Sequence, residues 1–295
     1  MFESAITEMP AMEDTPFVQF WNTVLAAKFI RFRHILVGGL THHSEAVFPT
    51  LPVHAGDRAL DVGCGFGDTA IKLARLVGPT GEVVGIDCCD AFLDIAQTEV
   101  KETGLTNVRF MRGDAEIALP ADNFDFVFAR FGTMFFANPV AGLRNMRRAL
   151  RPGGRMVHIV WRNRADNPWL SMAKDVVLRF LPEPGADALT CGPGPFSMSN
   201  EETVRGMMKA AGYEQVELKR VDAPVLVGKD VEDAMAFQLA IGPAGEVFRE
   251  AGAEAERKRD QIEAALAEAI NAQKMSADGI VMESSSWVIS GVNPG

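Results

Sequence analysis

The amino-acid sequence predicts an α/β fold in which a mostly parallel sheet carries helices on both faces. The first observation is that short apolar runs alternate with stretches of helical periodicity between residues 57 and 161, a pattern typical of βαβ units. The second is the glycine-rich turn GCGFG, residues 63–67, directly after the first apolar run. Such a turn between a strand and a helix lets the backbone approach a ligand closely.

The predicted elements follow this rhythm along the chain. The strands of the alternating region are RALDVG, GEVVGID, NVRFMRGD, FDFVFARF and RMVHIVW. The helices between them are DTAIKLARLVG, AFLDIAQTEVKETG and VAGLRNMRRALRPGG, and Gly104 is a typical helix-ending residue. Two later stretches, YEQVELKRVDAPVLVG and SSWVISGV, also have strand character. The sequence therefore predicts seven strands.

Outside the alternating region the sequence predicts helices and one long loop. Its apolar residues Phe17, Phe20, Trp21, Val24 and Leu25 form a helical stripe. We expect a helical cap at 1–56, the core at 57–161, a Gly- and Pro-rich insertion at 162–199, a continuation of the core at 200–228, a second helical cap segment at 229–278 and the last core strand at 279–295.

Composition and charge disfavour several classes of partner. The formal net charge of −10 argues against a nucleic-acid partner, because phosphate binding needs clustered Lys and Arg. No apolar run reaches membrane-spanning length and the N-terminus lacks the features of a secretory signal, so we expect no stable membrane insertion and a cytoplasmic location. Cys64, Cys88, Cys89 and Cys191 lack metal-ligand spacing, which predicts reduced thiols and no metal site.

The acids around the glycine turn indicate the charge of the ligand. The dinucleotide pattern G-x-G-x-x-G requires a sixth glycine, where this chain has Asp68. Asp61 and Asp68 would repel a pyrophosphate in this turn, whereas S-adenosylmethionine is a net cation that they would attract. Asp87 at the end of the second strand suits a ribose in either cofactor. Asp114 after the third strand suits an adenine amino group.

Four segments resemble the successive motifs of class I S-adenosylmethionine-dependent methyltransferases, in the same order: ALDVGCGFG, GIDCCDAFLDIA, RGDAEIALPADNFDFVFARF and LRPGGR. FARFGTMFFANP and WRNRADNPW resemble a bacterial subfamily that acts on small molecules. The likeness covers residues 57–170 well. It implies a Rossmann-like, seven-stranded, mostly parallel sheet whose last strand is antiparallel, and it implies S-adenosyl-L-methionine as the cofactor.

The resemblance also implies roles for single positions. Asp61, Gly63, Cys64, Gly65 and Gly67 would bind the methionine part of the cofactor, Asp87 the ribose, Cys88 one side of the adenine, and Asp114 and Ala115 its edge, while Arg130 and Phe131 would line the methyl-transfer site. One position departs from the family. Cys89 stands where a helix-capping serine is common, and a thiol is a poor cap.

The implied reaction is direct displacement (SN2) of a methyl group onto an N, O or S atom of a small, partly apolar acceptor, giving S-adenosylhomocysteine. Such a reaction depends chiefly on alignment and on exclusion of water, and it needs a general base only if the nucleophile still holds its proton. The candidate catalytic residues are Arg130, His158 and His43, the last within a group that includes His34 and His42. Each has a structural alternative as an ion-pair partner, a buried hydrogen-bonded residue or a surface residue.

The predicted acceptor site is aromatic. Trp21, Phe29, Phe32, Trp169, Phe180, Phe196 and Phe237 are expected to enclose the acceptor, and Met134, Phe135 and Phe136 are either core residues or part of its wall. The basic residues Lys28, Arg31 and Arg33 either meet an anionic substrate or a membrane surface, or form a solvated helix face.

Three other functions stay open at this point: an NAD-dependent oxidoreductase, a methyltransferase that acts on protein or RNA, which the acidic balance and the predicted cap disfavour, and a module that binds S-adenosylmethionine without transferring its methyl group. The sequence is also compatible with a homodimer.

Overall fold

The computed structural model of the chain describes residues 14–121, 123–185, 188 and 192–295. Residues 1–13, which we expected to lack a secretory signal, and Cys191, which we expected to be a reduced thiol, lie outside the described residues. The described residues contain ten strands: β1 (Arg58–Val62), β2 (Glu82–Asp87), β3 (Val108–Arg112), β4 (Phe124–Arg130), β5 (Leu150–Trp161), β6 (Glu214–Asp222), β7 (Val225–Gly228), β8 (Lys274–Met275), β9 (Ile280–Met282) and β10 (Ser285–Val292).

Seven of these strands form the main sheet, in the order β3-β2-β1-β4-β5-β10-β6. Strands β1 to β5 pair in parallel, and β10 runs antiparallel to both β5 and β6. The predicted α/β, Rossmann-like sheet with an antiparallel last strand is therefore confirmed. Because β1 lies between β2 and β4, the carboxyl ends of the parallel strands open a crevice beside β1.

A second, three-stranded sheet was not expected from the sequence. Its order is β7-β9-β8, and both pairings are antiparallel. The stretch YEQVELKRVDAPVLVG, predicted as one strand, divides at Ala223 and Pro224 into β6 of the main sheet and β7 of the second sheet. Proline lacks an amide proton and cannot continue a paired strand, which explains the break.

The helices pack on both faces of the main sheet and over its carboxyl edge. They are α1 (Pro16–Phe20), α2 (Ala26–Arg31), α3 (Thr41–Val47), α4 (Asp68–Val77), α5 (Asp90–Thr103), α6 (Pro139–Ala149), α7 (Pro168–Val177), α8 (Glu201–Ala211), α9 (Val231–Ala240), α10 (Gly242–Ala251) and α11 (Ala253–Asn271). Two π-helical turns, Trp21–Leu25 and His34–Gly39, join the first three helices. In the ranges given above, no helix combines the length and apolarity that crossing a membrane requires.

The start of α5 shows how a weak local signal is supported by tertiary contacts. Cys89 is the N-terminal cap residue and its thiol makes no capping hydrogen bond, as predicted. The amide of Cys89 instead donates to Asp87 Oδ1 at 2.9 Å, and the amide of Asp90 donates to Asn22 Oδ1 at 3.1 Å. A side chain from the N-terminal helical segment therefore completes the cap of a helix in the core.

Candidate active site

A cleft lies at the carboxyl ends of β1 to β4 and encloses about 170 Å³ of space that solvent can enter. We call it the strand-end cleft. The loops that follow the four strands line it with Gly63–Phe66, Asp68, Thr69, Asp87, Cys88, Gly113–Ala115 and Arg130–Gly132, and helical residues Phe17, Trp21, Phe29, Leu36, Val37 and Leu40 cover it. The structure thus brings together most of the positions for which the resemblance implied cofactor contacts, with Asp61 buried beneath the first loop and Gly67 outside the lining of the cleft.

The glycine loop after β1 depends on backbone conformations that other residues rarely adopt. Gly63, Gly65 and Gly67 have φ angles of +67°, +53° and +82°. A Cβ atom on Gly67 would lie only 2.7 Å from Phe110 Cζ and 2.9 Å from Ala96 Cβ. The third glycine is therefore required by both conformation and packing, and it sets the start of α4.

Asp61 provides a buried negative group under this loop. Its side chain is fully buried, and Oδ2 accepts a 2.6 Å hydrogen bond from Thr69 Oγ1. Among the described residues no group donates a hydrogen bond to Oδ1. Burial raises the pKa of Asp61 to about 7, against the opposing effect of the Thr69 hydrogen bond. A cationic ligand group nearby would stabilise the ionised carboxylate.

Two further acids line the cleft at the ends of β2 and β3. Asp87 Oδ2 accepts a 2.8 Å hydrogen bond from the Gly65 amide, so this carboxylate holds the glycine loop in place. Asp114 Oδ1 accepts a 2.8 Å hydrogen bond from the Glu116 amide. Burial raises the pKa of both acids. A carboxylate oxygen has a second lone pair, so both acids retain acceptor capacity for a ligand hydroxyl or amino group.

These features fit S-adenosylmethionine and not a dinucleotide. Asp68 is paired with Arg130, but Asp61, Asp87 and Asp114 also surround the glycine loop, and this excess of acids repels a pyrophosphate and attracts a sulfonium and an ammonium group. The unpartnered Oδ1 of Asp61 has the chemistry to accept from an ammonium. Cys64 and Cys88 are free thiols in the cleft, and burial raises the pKa of each, so they contribute protonated, weakly polar surface.

Arg130 and Phe131 stand at the end of β4, between the cleft and the space beyond it. Arg130 forms a 2.8 Å ion pair with Asp68 and donates a 2.9 Å hydrogen bond to Ser44 Oγ. The ion-pair alternative for Arg130 is thus observed, and Arg130 lines the cleft as well. Phe131 has a φ angle of +55°, and its ring stacks on Trp161 with centroids 3.8 Å apart. A strained backbone persists only where the surrounding structure fixes it, and the stacking on Trp161 is one contact that does so.

A second cavity adjoins the strand-end cleft, and we call it the aromatic cavity. It encloses about 270 Å³ of space that solvent can enter. Its wall includes Phe20, Trp21, Leu25, Phe29, Phe131, Met134, Phe135, Trp161, Trp169, Leu170, Phe237 and Ile241. Six residues line both spaces: Trp21, Phe29, Leu36, Leu40, Phe131 and Phe135. An apolar ligand in the aromatic cavity would therefore lie directly beside a ligand in the cleft.

The two histidines proposed as bases line neither space. His43 is fully buried, and its ring nitrogens lie 2.9 Å from Ser286 Oγ and 2.7 Å from Ser284 Oγ. Burial lowers the pKa of His43 to about 4. His158 is also fully buried, with Nδ1 2.9 Å from Thr133 Oγ1, and burial lowers its pKa to about 3. The geometry supports the structural alternative for both.

Other histidines of the N-terminal segment are also engaged away from the cleft. His34 pairs with Asp233 at 2.9 Å, and His42 Nδ1 lies 3.0 Å from the Pro224 carbonyl oxygen. These contacts attach the N-terminal helices to the second sheet and to α9.

Sequence reasoning identified part of the aromatic wall and missed part of it. Trp21, Phe29, Trp169 and Phe237 line the aromatic cavity as expected, but Phe32, Phe180 and Phe196 do not. Leu36, Val37 and Leu40 were not identified, because their π-helical segment has no sequence pattern that distinguishes it. Asn22 was also missed. It donates a 2.9 Å hydrogen bond to the Cys88 carbonyl oxygen and so links the covering helices to the cleft rim.

In the portion of the chain that the structure describes, no group of three or more His, Cys, Asp or Glu side chains is arranged to hold a metal ion.

Comparison with known proteins identifies the family. The sequence profile of the ubiE/COQ5 methyltransferase family matches residues 42–188. A ubiquinone/menaquinone biosynthesis C-methyltransferase from Pseudomonas putida is 32% identical over 209 residues, covering 65% of this chain and 79% of the relative. The enzyme of the same name from Ectopseudomonas mendocina is 34% identical over 203 residues, with the same coverage.

Solved structures share the fold at low sequence identity. Phosphoethanolamine N-methyltransferase 2 from Haemonchus contortus, in complex with S-adenosyl-L-methionine, has a TM-score of 0.55 at 17% identity and covers 97% of this chain and 61% of its own. The [4+2]-cyclase SpnF has a TM-score of 0.54 at 19% identity and covers 98% and 100% of the two chains. The family profile and the two relatives show that the chain belongs to the ubiE/COQ5 methyltransferase family and is a class I methyltransferase whose cofactor is S-adenosyl-L-methionine.

Proposed function

We propose that this enzyme methylates a small acceptor whose apolar body lies in the aromatic cavity. The observation that carries the proposal is the common wall: six residues line both the aromatic cavity and the strand-end cleft. An acceptor held by the aromatic side chains of this wall would lie next to the cofactor and away from bulk solvent. Family membership also sets aside the oxidoreductase and the non-catalytic binding module considered above.

When bound, the cofactor supplies a methyl group attached to a sulfonium, and the neutral thioether that leaves needs no protonation. We propose that the loop with Gly63, Cys64, Gly65 and Gly67 holds the methionine part of the cofactor together with Asp61. Asp87 binds the ribose, and Cys88, Asp114 and Ala115 contact the adenine. Arg130 and Phe131 border the position at which the methyl group is transferred. Trp21 and Phe29, which cover both spaces, exclude water and align the acceptor.

The proposal assigns no general base to a histidine. His43 and His158 have strongly lowered pKa values and are buried away from both spaces. In the proposed reaction an N, O or S nucleophile attacks in a form that has already lost its proton or never carried one, whereas a carbon nucleophile would lose its C–H proton after the C–C bond has formed.

Two classes of acceptor atom are candidates. The sequence predicted an N, O or S atom. The names of the Pseudomonas putida and Ectopseudomonas mendocina relatives favour a carbon atom as the second candidate. The two outcomes differ in the position of the new methyl group, which product NMR identifies with a ¹³C-labelled cofactor.

The test of the proposed function is product identification. The protein is incubated with methyl-labelled S-adenosylmethionine and an extract of its native cell, separated into small-molecule, nucleic-acid and protein fractions. We expect S-adenosylhomocysteine to form and the label to enter an apolar small molecule. Label found only in macromolecules would contradict the proposal.

The domain division, cytoplasmic location, homodimer and absence of a nucleic-acid partner stay predictions.

A further inference from the structure

Within the described part of the chain, three charged residues line the aromatic cavity, although its wall is otherwise mostly apolar. Lys28 comes from α2, and Glu246 and Arg249 come from α10. None of the three lines the strand-end cleft. The charged part of the aromatic cavity is therefore distinct from the part that adjoins the cofactor side.

Lys28 has no fixed counterion within the described residues. Its ammonium group takes part in no hydrogen bond or ion pair with them, although the side chain is half-buried. Its basic neighbours in the same segment are engaged elsewhere. Arg31 lies over the Phe32 ring at 4.9 Å, and Arg33 pairs with Glu99 at 2.7 Å. Of the three basic residues singled out in the sequence, Lys28 is the one that the fold places on the cavity wall.

The charges around Lys28 favour a negative ligand. Burial, and next the positive charge of Arg249, lower the pKa of Lys28. Arg249 lies over the Phe20 ring at 5.0 Å and pairs with Glu250 at 2.8 Å. Because Arg249 is paired with Glu250, Lys28 is the cation on this part of the wall that the described residues leave without an ion pair. A partly desolvated ammonium is stabilised by a negative partner, which a wholly apolar ligand does not provide.

We infer that the acceptor is an amphipathic acid: an apolar body fills the aromatic cavity, and a monoanionic group such as a carboxylate pairs with Lys28 in the part that the strand-end cleft does not share. The inference rests on the proposed function. A phosphate dianion fits less well, because Glu246 lines the same cavity and would repel its second charge. Lys28 would then determine which acceptors bind and in which orientation.

The experiment compares three probes of matched shape: 2-naphthylacetate, 2-(2-naphthyl)ethanol and 2-naphthyl phosphate. Their affinities are measured by calorimetry on the full chain with saturating S-adenosylhomocysteine. We expect the carboxylate to bind about 10-fold more tightly than the alcohol, the usual size of a charge-assisted hydrogen bond. Lys28→Met should abolish this preference and leave alcohol binding unchanged. Lys28→Arg should retain most of it, and Arg31→Met, on the same helix, should retain all of it.

Several results would overturn the inference. Equal binding of the carboxylate and the alcohol, or tighter binding of the phosphate, would contradict a monoanion site. If Lys28→Met weakened binding of the carboxylate and of the alcohol equally, Lys28 would contribute only packing and no charge recognition. The two proposals also fail differently. A carboxylate preference without methylation of any acceptor contradicts the proposed function, whereas methylation of a carboxylate-bearing acceptor with a kcat/KM that Lys28→Met does not change contradicts this inference.

Discussion

The strand-end cleft and the aromatic cavity share a wall but are built in different ways. The floor of the cleft comes from loops that directly follow β1 to β4, and its acids and glycines occupy short motifs in one continuous region of the chain. The wall of the aromatic cavity comes from the N-terminal helices, the segment after β4, the end of β5, α7, residues 192–195, and α9 with α10. The cleft is thus determined locally, whereas the cavity exists only once distant segments pack together.

This difference separates the common part of the chemistry from the specific part. Binding the methyl donor requires a fixed backbone geometry and fixed charges, which strand-end loops supply. Acceptor choice requires a shape, which packed helices supply and which can change without disturbing the loops. We therefore expect changes in the glycine loop to affect cofactor binding and stability, and changes in the covering helices to have smaller effects on both.

The largest effect is expected for Gly67→Ala. The new Cβ would clash with Phe110 and Ala96, and φ is +82°, so the free energy of unfolding should fall by roughly 2–4 kcal/mol. Misplacement of the loop should slow methyl transfer by about 100-fold. Denaturant titration and single-turnover kinetics measure the two effects. Gly104→Ala is the matched control, because its φ is +71° and nothing lies within 4 Å. Equal effects of both variants would contradict the packing argument.

A smaller effect is expected for Asp61→Asn. Loss of a charged acceptor should weaken binding of S-adenosylmethionine roughly 10- to 100-fold. The free energy of unfolding without cofactor should not fall and should increase at high pH. The raised pKa, about 7, means that the stabilising contribution of the protonated carboxyl is lost as pH rises through 7.

The Asn variant should consequently be at least as stable as the natural protein at pH 8. Calorimetric titration and thermal unfolding at pH 6 and pH 8 measure both quantities. Unchanged affinity together with a lower Tm at pH 8 would show that Asp61 has a purely structural role.

The third effect concerns pH and His43. The pKa of His43 in the folded chain is about 4, below the ordinary value of 6.5. Between pH 4 and pH 6.5 this residue is therefore protonated in the unfolded chain and neutral in the folded chain. Stability should therefore fall as pH drops from 6.5 to 4, by roughly 2–3 kcal/mol from this residue. His43→Gln should remove that part of the pH dependence, while His54→Gln, at an exposed site, should not. A large loss of methyl-transfer rate at pH 7.5 in His43→Gln, with the fold intact, would restore His43 as a candidate base.

The smallest effect is expected for Asn22→Leu. This variant removes the hydrogen bond to the Cys88 carbonyl oxygen and the acceptor for the Asp90 amide. Cofactor affinity should fall roughly 5- to 10-fold, because the covering helices close less firmly. Calorimetry measures the affinity, and amide exchange in α1 and α2 should become faster. Thr23→Val, which loses only a local bond to the Gln19 carbonyl oxygen, should have no effect on affinity.

Much of the fold could be predicted because its signals are local. The alternation of strand and helix, the turn at Gly63–Gly67 and the poor cap at Cys89 all depend on neighbours within a few residues. The second sheet was missed because β7, β8 and β9 are short, and because β7 pairs with β9 from a distant part of the chain. Strand pairing of this kind leaves no periodic trace in the sequence.

The site divides along the same line. The sequence by itself determined the cofactor, because Asp61, Asp87, Asp114 and the glycines are placed by the strand that precedes each of them, and their charges select a cationic ligand. Only the tertiary structure decided that His43 and His158 are buried away from both spaces, that Phe32 lies outside the wall, and that Lys28 reaches it. Which side chains are buried and which line the cavity depends on how the covering helices pack, and this packing is determined by contacts between segments far apart in the chain.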